Sequence, residues 1–214
     1  LKQPFGTTVN ANSKNKQIQT WRFNVKGGNY SAQLYKRIAG RMIQLSDPLL
    51  FEVKRIRTNV LTNPLASETE AYTHKLIALS KDLSKVEHSF DKASKQLEKF
   101  EKIIKFTTSN QASLTEEIYA LRKEMHALKL QLNGSAAKSI VGEKEKLSIR
   151  YRIYFAASGL NGNSYGQTKL HMESYDIAKT MFEELKPKLE QFSFVKVPAL
   201  GKKLESSGAP EVLD

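Results

Sequence analysis

From Tyr72 onward the apolar side chains keep one rhythm: Tyr72, Leu76, Leu79, Leu83, Val86, Phe90, Ala93, Leu97, Phe100 and Ile104 are separated by alternating steps of four and three. Such a heptad seam predicts a helix roughly 50 Å long at about 1.5 Å per residue, with an apolar stripe that needs partner helices. Thr107-Thr108-Ser109-Asn110 ends it. Ser113 and Glu116 have capping-box spacing, after which Leu114, Ile118, Leu121, Met125, Leu128 and Leu132 repeat the four-three steps up to Asn133-Gly134. The two seams predict an antiparallel helical hairpin with Leu83, Phe90, Leu97, Leu121 and Leu128 inside it. A third helix is expected around Leu147, Ile149, Ile153, Ala156, Ala157 and Leu160. A fourth runs from Thr168 through Met172, Tyr175, Ala178, Phe182, Leu185, Leu189 and Phe192, with a kink expected at Pro187. Four helical segments pack most naturally as a bundle, although a heptad seam is also open to a second copy of the chain.

Ahead of Tyr72 the period is two. Trp21, Phe23 and Val25 alternate with polar residues, Lys26-Gly27-Gly28-Asn29 supplies turn chemistry, and Tyr30, Ala32 and Leu34 resume the alternation, as in an antiparallel hairpin. A second turn at Ala39-Gly40 leads to Met42–Leu45, and beyond Asp47-Pro48 come Leu49, Phe51 and Val53. Three or four strands can shield only one face of a sheet. Either the helices cover them, or they are the last part of a β-sandwich that leaves Trp21 or Phe23 incompletely covered. The expected class is α+β: a flexible leading segment over 1–17, a small antiparallel β unit over 18–60, and a helical bundle with a long hairpin over 66–210.

The composition narrows the chemistry. A hydrophobic fraction of 40% in 214 residues is enough for a packed core, and zero cysteine removes disulfides, thiolate metal sites and a Cys nucleophile. No apolar run is long enough to suggest a membrane span, and Leu1 in place of Met reads as an excised or processed piece. Lys and Arg total 34 against 22 Asp and Glu, giving +12, which favours acidic partners. Lys92, Lys95, Lys99, Lys102 and Lys105, interleaved with Glu98 and Glu101, read first as a solvated helix face and second as a basic face for a polyanion.

His74, His88, His126 and His171 include no pair at the three- or four-residue spacing of helical metal ligands. Glu116-Glu117 and Glu183-Glu184 are paired acids, but adjacent helical residues point about 100° apart, unlike carboxylates arranged across a sugar. The glycines of Lys26–Asn29 and Asn161–Gly166 form no phosphate-loop or dinucleotide pattern. Neither a catalytic residue, a metal ligand nor a cofactor site is expected. Tyr151, Tyr154, Phe155 and Tyr165, interleaved with Arg150 and Arg152, form an aromatic set that fits core and rim packing and, where exposed, recognition by stacking. The candidate recognition residues are therefore Arg150, Tyr151, Tyr154 and Tyr165; the candidate basic face is Lys92, Lys95, Lys99 and Lys102.

Ser164-Tyr165-Gly166-Gln167-Thr168, Glu173–Ala178, Leu185-Lys186-Pro187-Lys188-Leu189, Val197-Pro198-Ala199-Leu200, Leu204-Glu205 and Ser207-Gly208-Ala209-Pro210 together resemble the C-terminal end of large bacterial sortilin-like, neuraminidase-type repeat β-propeller proteins described as glycosyl-hydrolase-like. Gly28–Tyr30 through Phe51–Val53 resembles the end of the immunoglobulin-like unit that precedes the helical tail in that family. The resemblance covers about Thr20 to Pro210 and implies architecture rather than activity. It also implies an exported protein, periplasmic or extracellular, with an upstream propeller as partner. Any hydrolase chemistry would belong to that propeller.

The leading expectation is accordingly a non-catalytic accessory or interaction module, followed by a basic helical module for nucleic acid or an acidic polymer. Nucleic acid ranks below a protein partner. A carbohydrate-acting enzyme fragment ranks third.

Overall fold

The computed structural model describes residues 2–9, 18–24, 27–54, 66–143, 146–161 and 166–210. The protein is α+β, a small antiparallel β unit followed by long helices. Strand β1 (Lys2–Val9) pairs with β2 (Ile18–Asn24). Part of the expected loose leading segment is thus a strand; Thr7, Thr8 and Val9 suit one, and backbone pairing needs no apolar majority. The surroundings of the Trp21 and Phe23 side chains lie outside what is described.

Lys26 of the expected Lys26–Asn29 turn lies outside the described residues, and β2 pairs with β1 rather than with the strand that begins at Gly28. Gly28 opens β3 (Gly28–Ala32), which pairs with β6 (Leu49–Val53) and encloses the hairpin β4 (Tyr35–Ile38) and β5 (Arg41–Gln44). Alternation assigns residues to faces but leaves the choice of partner strand open. The β4–β5 turn falls at Ala39-Gly40 as expected, both with positive φ (46° and 83°), the backbone a tight two-residue hairpin turn requires. Between the two pairs, Leu45 N–H donates to Leu34 C=O at 2.8 Å and Leu34 N–H to Ser46 Oγ at 3.1 Å. The four strands therefore read as one long, nested two-stranded ribbon.

Helix α1 (Ala66–Ile103) is 38 residues long and tightens into a 3₁₀ turn over Ile104–Phe106. All ten residues of its predicted seam are buried. Helix α2 (Gln111–Asn133) follows after Thr107–Asn110, and buries Leu114, Ile118, Leu121, Leu128 and Leu132. Its start differs from expectation. The N-cap is Asn110 in the left-handed region (φ 56°), with no side-chain cap, so Ser113 lies inside the first turn and the Ser113–Glu116 capping box does not form. Gly134 ends the helix with φ 78° as read from Asn133-Gly134.

After the short α3 (Ala136–Ile140) come α4 (Ile149–Asn161) and α5 (Lys169–Gln191); α5 passes through a π turn, Phe192–Lys196, into α6 (Val197–Ser206). Leu147 lies before α4 and, like Met172 on α5, is exposed, against expectation. Helical hydrogen bonding carries on past Pro187. A π turn comes further on, just before Pro198, where Val197 N–H reaches back to Phe192 C=O. Pro198 has no N–H to offer Phe194, and the widened turn directly precedes it.

The long elements run in a defined order. Tyr72 meets Tyr175, Asp82 meets Lys186, Phe90 meets Phe192 and Phe100 meets Gly201, so α1 and the α5–α6 rod are parallel. Glu117 pairs with Lys203 and Glu124 with Lys196, placing α2 antiparallel to that rod along its far half. α4 is antiparallel to α5 along the near half: Ser174 Oγ donates to Arg152 C=O, and His171 packs on Gly159. The bundle is thus three rods, of which the middle one is made from α2 and α4 in succession. The α1 seam is shared among α2, α4 and α5–α6 rather than closed by α2 alone.

Candidate recognition surfaces

Arg150 stands at the junction of the split middle rod. Its guanidinium donates to Asn133 Oδ1 at the end of α2 (2.9 Å) and to the Glu87 carboxylate on α1. Burial raises the Glu87 carboxyl above its ordinary range, and the Arg150 charge and hydrogen bond oppose that rise. One of the expected recognition residues is therefore committed to holding three helices together. Tyr151 and Tyr154 are 50% and 71% exposed and project from α4, while Phe155 stacks on His171 with ring centroids 4.9 Å apart. Tyr165 lies outside the described residues.

His171 has a structural position that its isolation in the sequence hides. Three residues into α5, its Nδ1 accepts the Thr168 backbone N–H at 3.0 Å, while Thr168 Oγ1 serves the His171 N–H in a capping box. Nε2 then carries the proton and faces Ser158 Oγ at 3.4 Å. Burial lowers the imidazole below its usual range. Nearby, the Tyr72 hydroxyl lies 3.0 Å from Ala156 C=O and 3.1 Å from His171 C=O, and burial foremost, with Asp176 and Tyr175, raises the phenol. These titratable groups position helices.

The paired acids are likewise divided. Glu117 binds Lys203 at 2.8 Å across α2 and α6, and Glu183 faces Lys179 within α5 at 3.7 Å. Among the described residues no group of three metal-ligating side chains converges. The open cleft between α1 and α5, lined by Lys75, Asp82, Tyr175 and Lys179, is spanned by the Lys186–Asp82 ion pair at 2.8 Å.

Two surfaces remain. Lys92, Lys95 and Lys102 are exposed and Lys99 is half-buried, all on the side of α1 opposite its seam. The other surface is the ribbon, whose register puts Tyr30 and Phe51, Ala32 and Leu49, and Gly28 and Val53 on one face. Tyr30 and Phe51 stack at 5.9 Å, yet Leu49 is 71% exposed and Phe51 36%. The sequence pattern marks these as strand residues with an apolar side; that Leu49 and Phe51 stand exposed was not legible, because alternation does not say what lies against a face.

Fold and surfaces define a class: an α+β protein in which a split three-rod helical bundle carries a mostly exposed β ribbon. No protein-family model, no curated protein and no solved structure matches the chain.

Proposed function

We propose that the chain is a non-catalytic accessory module of a larger exported β-propeller protein of the sortilin-like, glycosyl-hydrolase-like type, and that its β ribbon packs onto an upstream β domain of that protein. The observation that carries this reading is the apolar face of the β3–β6 pair, on which Ala32, Leu49 and Phe51 are exposed and Tyr30 and Val53 half-buried. A ribbon of two strands is marginal in water by itself, and a face of this kind gains stability once another sheet covers it. The opposite face, with Asn29, Ser31 and Glu52 beside Leu50, is largely polar, as suits the outer side of a sandwich strand pair. The bundle supports the same reading: Arg150, His171 and Tyr72 are engaged in helix contacts and make a rigid stem for the ribbon. A periplasmic or extracellular setting belongs to this proposal through the resemblance.

The test is co-purification of the chain with the separately expressed upstream region, compared between the native sequence and Phe51→Asp. The expected result is a complex that resists moderate salt and is lost in F51D while helical content and Tm are unchanged. A complex that F51D leaves intact, or none with the native chain, overturns the reading.

A further inference from the structure

The basic residues of α1 follow a rhythm of their own. Lys81, Lys85, His88, Lys92, Lys95, Lys99 and Lys102 are separated by steps of four and three, the same period as the seam, on the opposite side of the helix. All are exposed except half-buried Lys99. The period places one basic group about every 5 Å along a straight line of about 31 Å. Three acids of α1 near the line pair across helices, Asp82 with Lys186, Glu87 with Arg150 and Glu101 with Arg122, while Asp91 and Glu98 stand exposed along one edge and offset part of its charge.

We infer that this stripe binds a linear acidic polysaccharide, one carrying carboxylate or sulfate groups at regular intervals along the chain. Three features select that class. The stripe has no Tyr, Phe or Trp on which bases could stack, and stacking platforms are what single-stranded nucleic acids use. It has lysine and no arginine, hence point charges in place of the planar fork that matches phosphate. A duplex also fits poorly, since each of its strands winds away from a straight line of charge. Its borders are polar: Ser89, Asp91, Gln96 and Glu98 offer hydrogen bonds suited to sugar hydroxyls, whereas an interfacial membrane helix needs an apolar face, and that of α1 is buried in the bundle. The inference is independent of the ribbon and its partner.

The experiment measures binding of the full chain to polygalacturonate and to chondroitin sulfate, with poly(dT) and phosphatidylglycerol vesicles as competing classes, at low and moderate salt. The stripe variant replaces Lys85, Lys92, Lys95 and Lys102 with Gln. A control replaces Lys123, Lys138, Lys146 and Lys202, exposed lysines elsewhere, and removes the same charge. Binding to either polysaccharide is expected to weaken about thirtyfold in the stripe variant and only a few-fold in the control. Replacing the same four stripe lysines with Arg retains binding, which separates lost charge from lost fold. Equal losses in stripe variant and control, an Arg set that no longer binds, tighter binding to poly(dT) or to the vesicles, or no polysaccharide binding at all overturns the inference.

Discussion

At the scale of single residues the bundle depends on side chains whose roles come from a neighbour. His171 is a neutral capping histidine, and protonation would put a hydrogen on the Nδ1 that accepts the Thr168 N–H. With its folded-state pKa below the unfolded value of about 6.5, the group contributes stability that is complete above that pH and is lost as pH falls toward the lowered value. His171→Gln keeps a side-chain acceptor for the cap and removes the titration. Urea midpoints measured from pH 7.5 to 5 are expected to fall less steeply for H171Q than for the native chain; parallel slopes would remove His171 as the cause. Gly201 is a second such residue. A Cβ there would lie 2.9 Å from the Phe100 ring, so α6 approaches α1 more closely than any larger residue allows. Gly201→Ala is therefore expected to destabilise by about 1–3 kcal/mol through overpacking, although alanine is the better helix former. A thermal melt of G201A at or above the native Tm would contradict the close approach.

Between elements, the decisive place is the break in the middle rod. α2 ends at Asn133, the chain leaves through α3, and α4 resumes the same direction at Ile149, with Arg150 bonded to both Asn133 and Glu87 across the gap. Glu87 is mostly buried and Arg150 is its charged partner, so Arg150→Ala leaves a carboxylate without compensation. A carboxyl raised in the folded state costs stability as pH rises through its folded pKa. R150A is therefore expected to lose about 1–3 kcal/mol at pH 7 and markedly less near pH 4, where Glu87 takes up a proton. A deficit that does not change between these pH values would separate Arg150 from Glu87. The far end of the bundle is tied by backbone. Ala209 N–H reaches Leu204 C=O and Gly208 N–H reaches Glu205 C=O, a Schellman stop at Gly208 (φ 79°), and Thr108 N–H donates to Ser207 C=O in the turn between α1 and α2.

For the whole molecule the contrast is between a bundle with a continuous core and a ribbon with little. Local stability follows buried contact, so amide exchange is expected to divide the chain: slow, near-global protection at the α1 seam around Phe90 and Leu97, and fast exchange throughout β3 and β6. Ribbon amides as slow as those of α1 in the isolated chain would mean that the ribbon needs no covering partner. The charge of +12 is handled unevenly at this scale. Lys186, Lys196, Lys203, Arg122 and Arg150 pair with acids between helices, whereas the outer lysines of α1 remain toward solvent.

What the sequence alone determined is what repetition determines. Ten seam residues at steps of four and three fix where α1 lies and which side is buried, because a helix turns at a nearly constant angle per residue. Ala39-Gly40 fixes its hairpin turn because few residue pairs adopt that backbone readily. Partner choice lay beyond it. A stripe of leucines is satisfied equally by α2, α4 or α5–α6, and an alternating strand by either neighbour; only the assembled fold set α1 parallel to α5–α6, paired β3 with β6, and turned Arg150 from a candidate recognition residue into the clamp of a broken rod. The seam expresses a period, which is local; the choice among equally apolar partners is settled by which arrangement buries all of them at once.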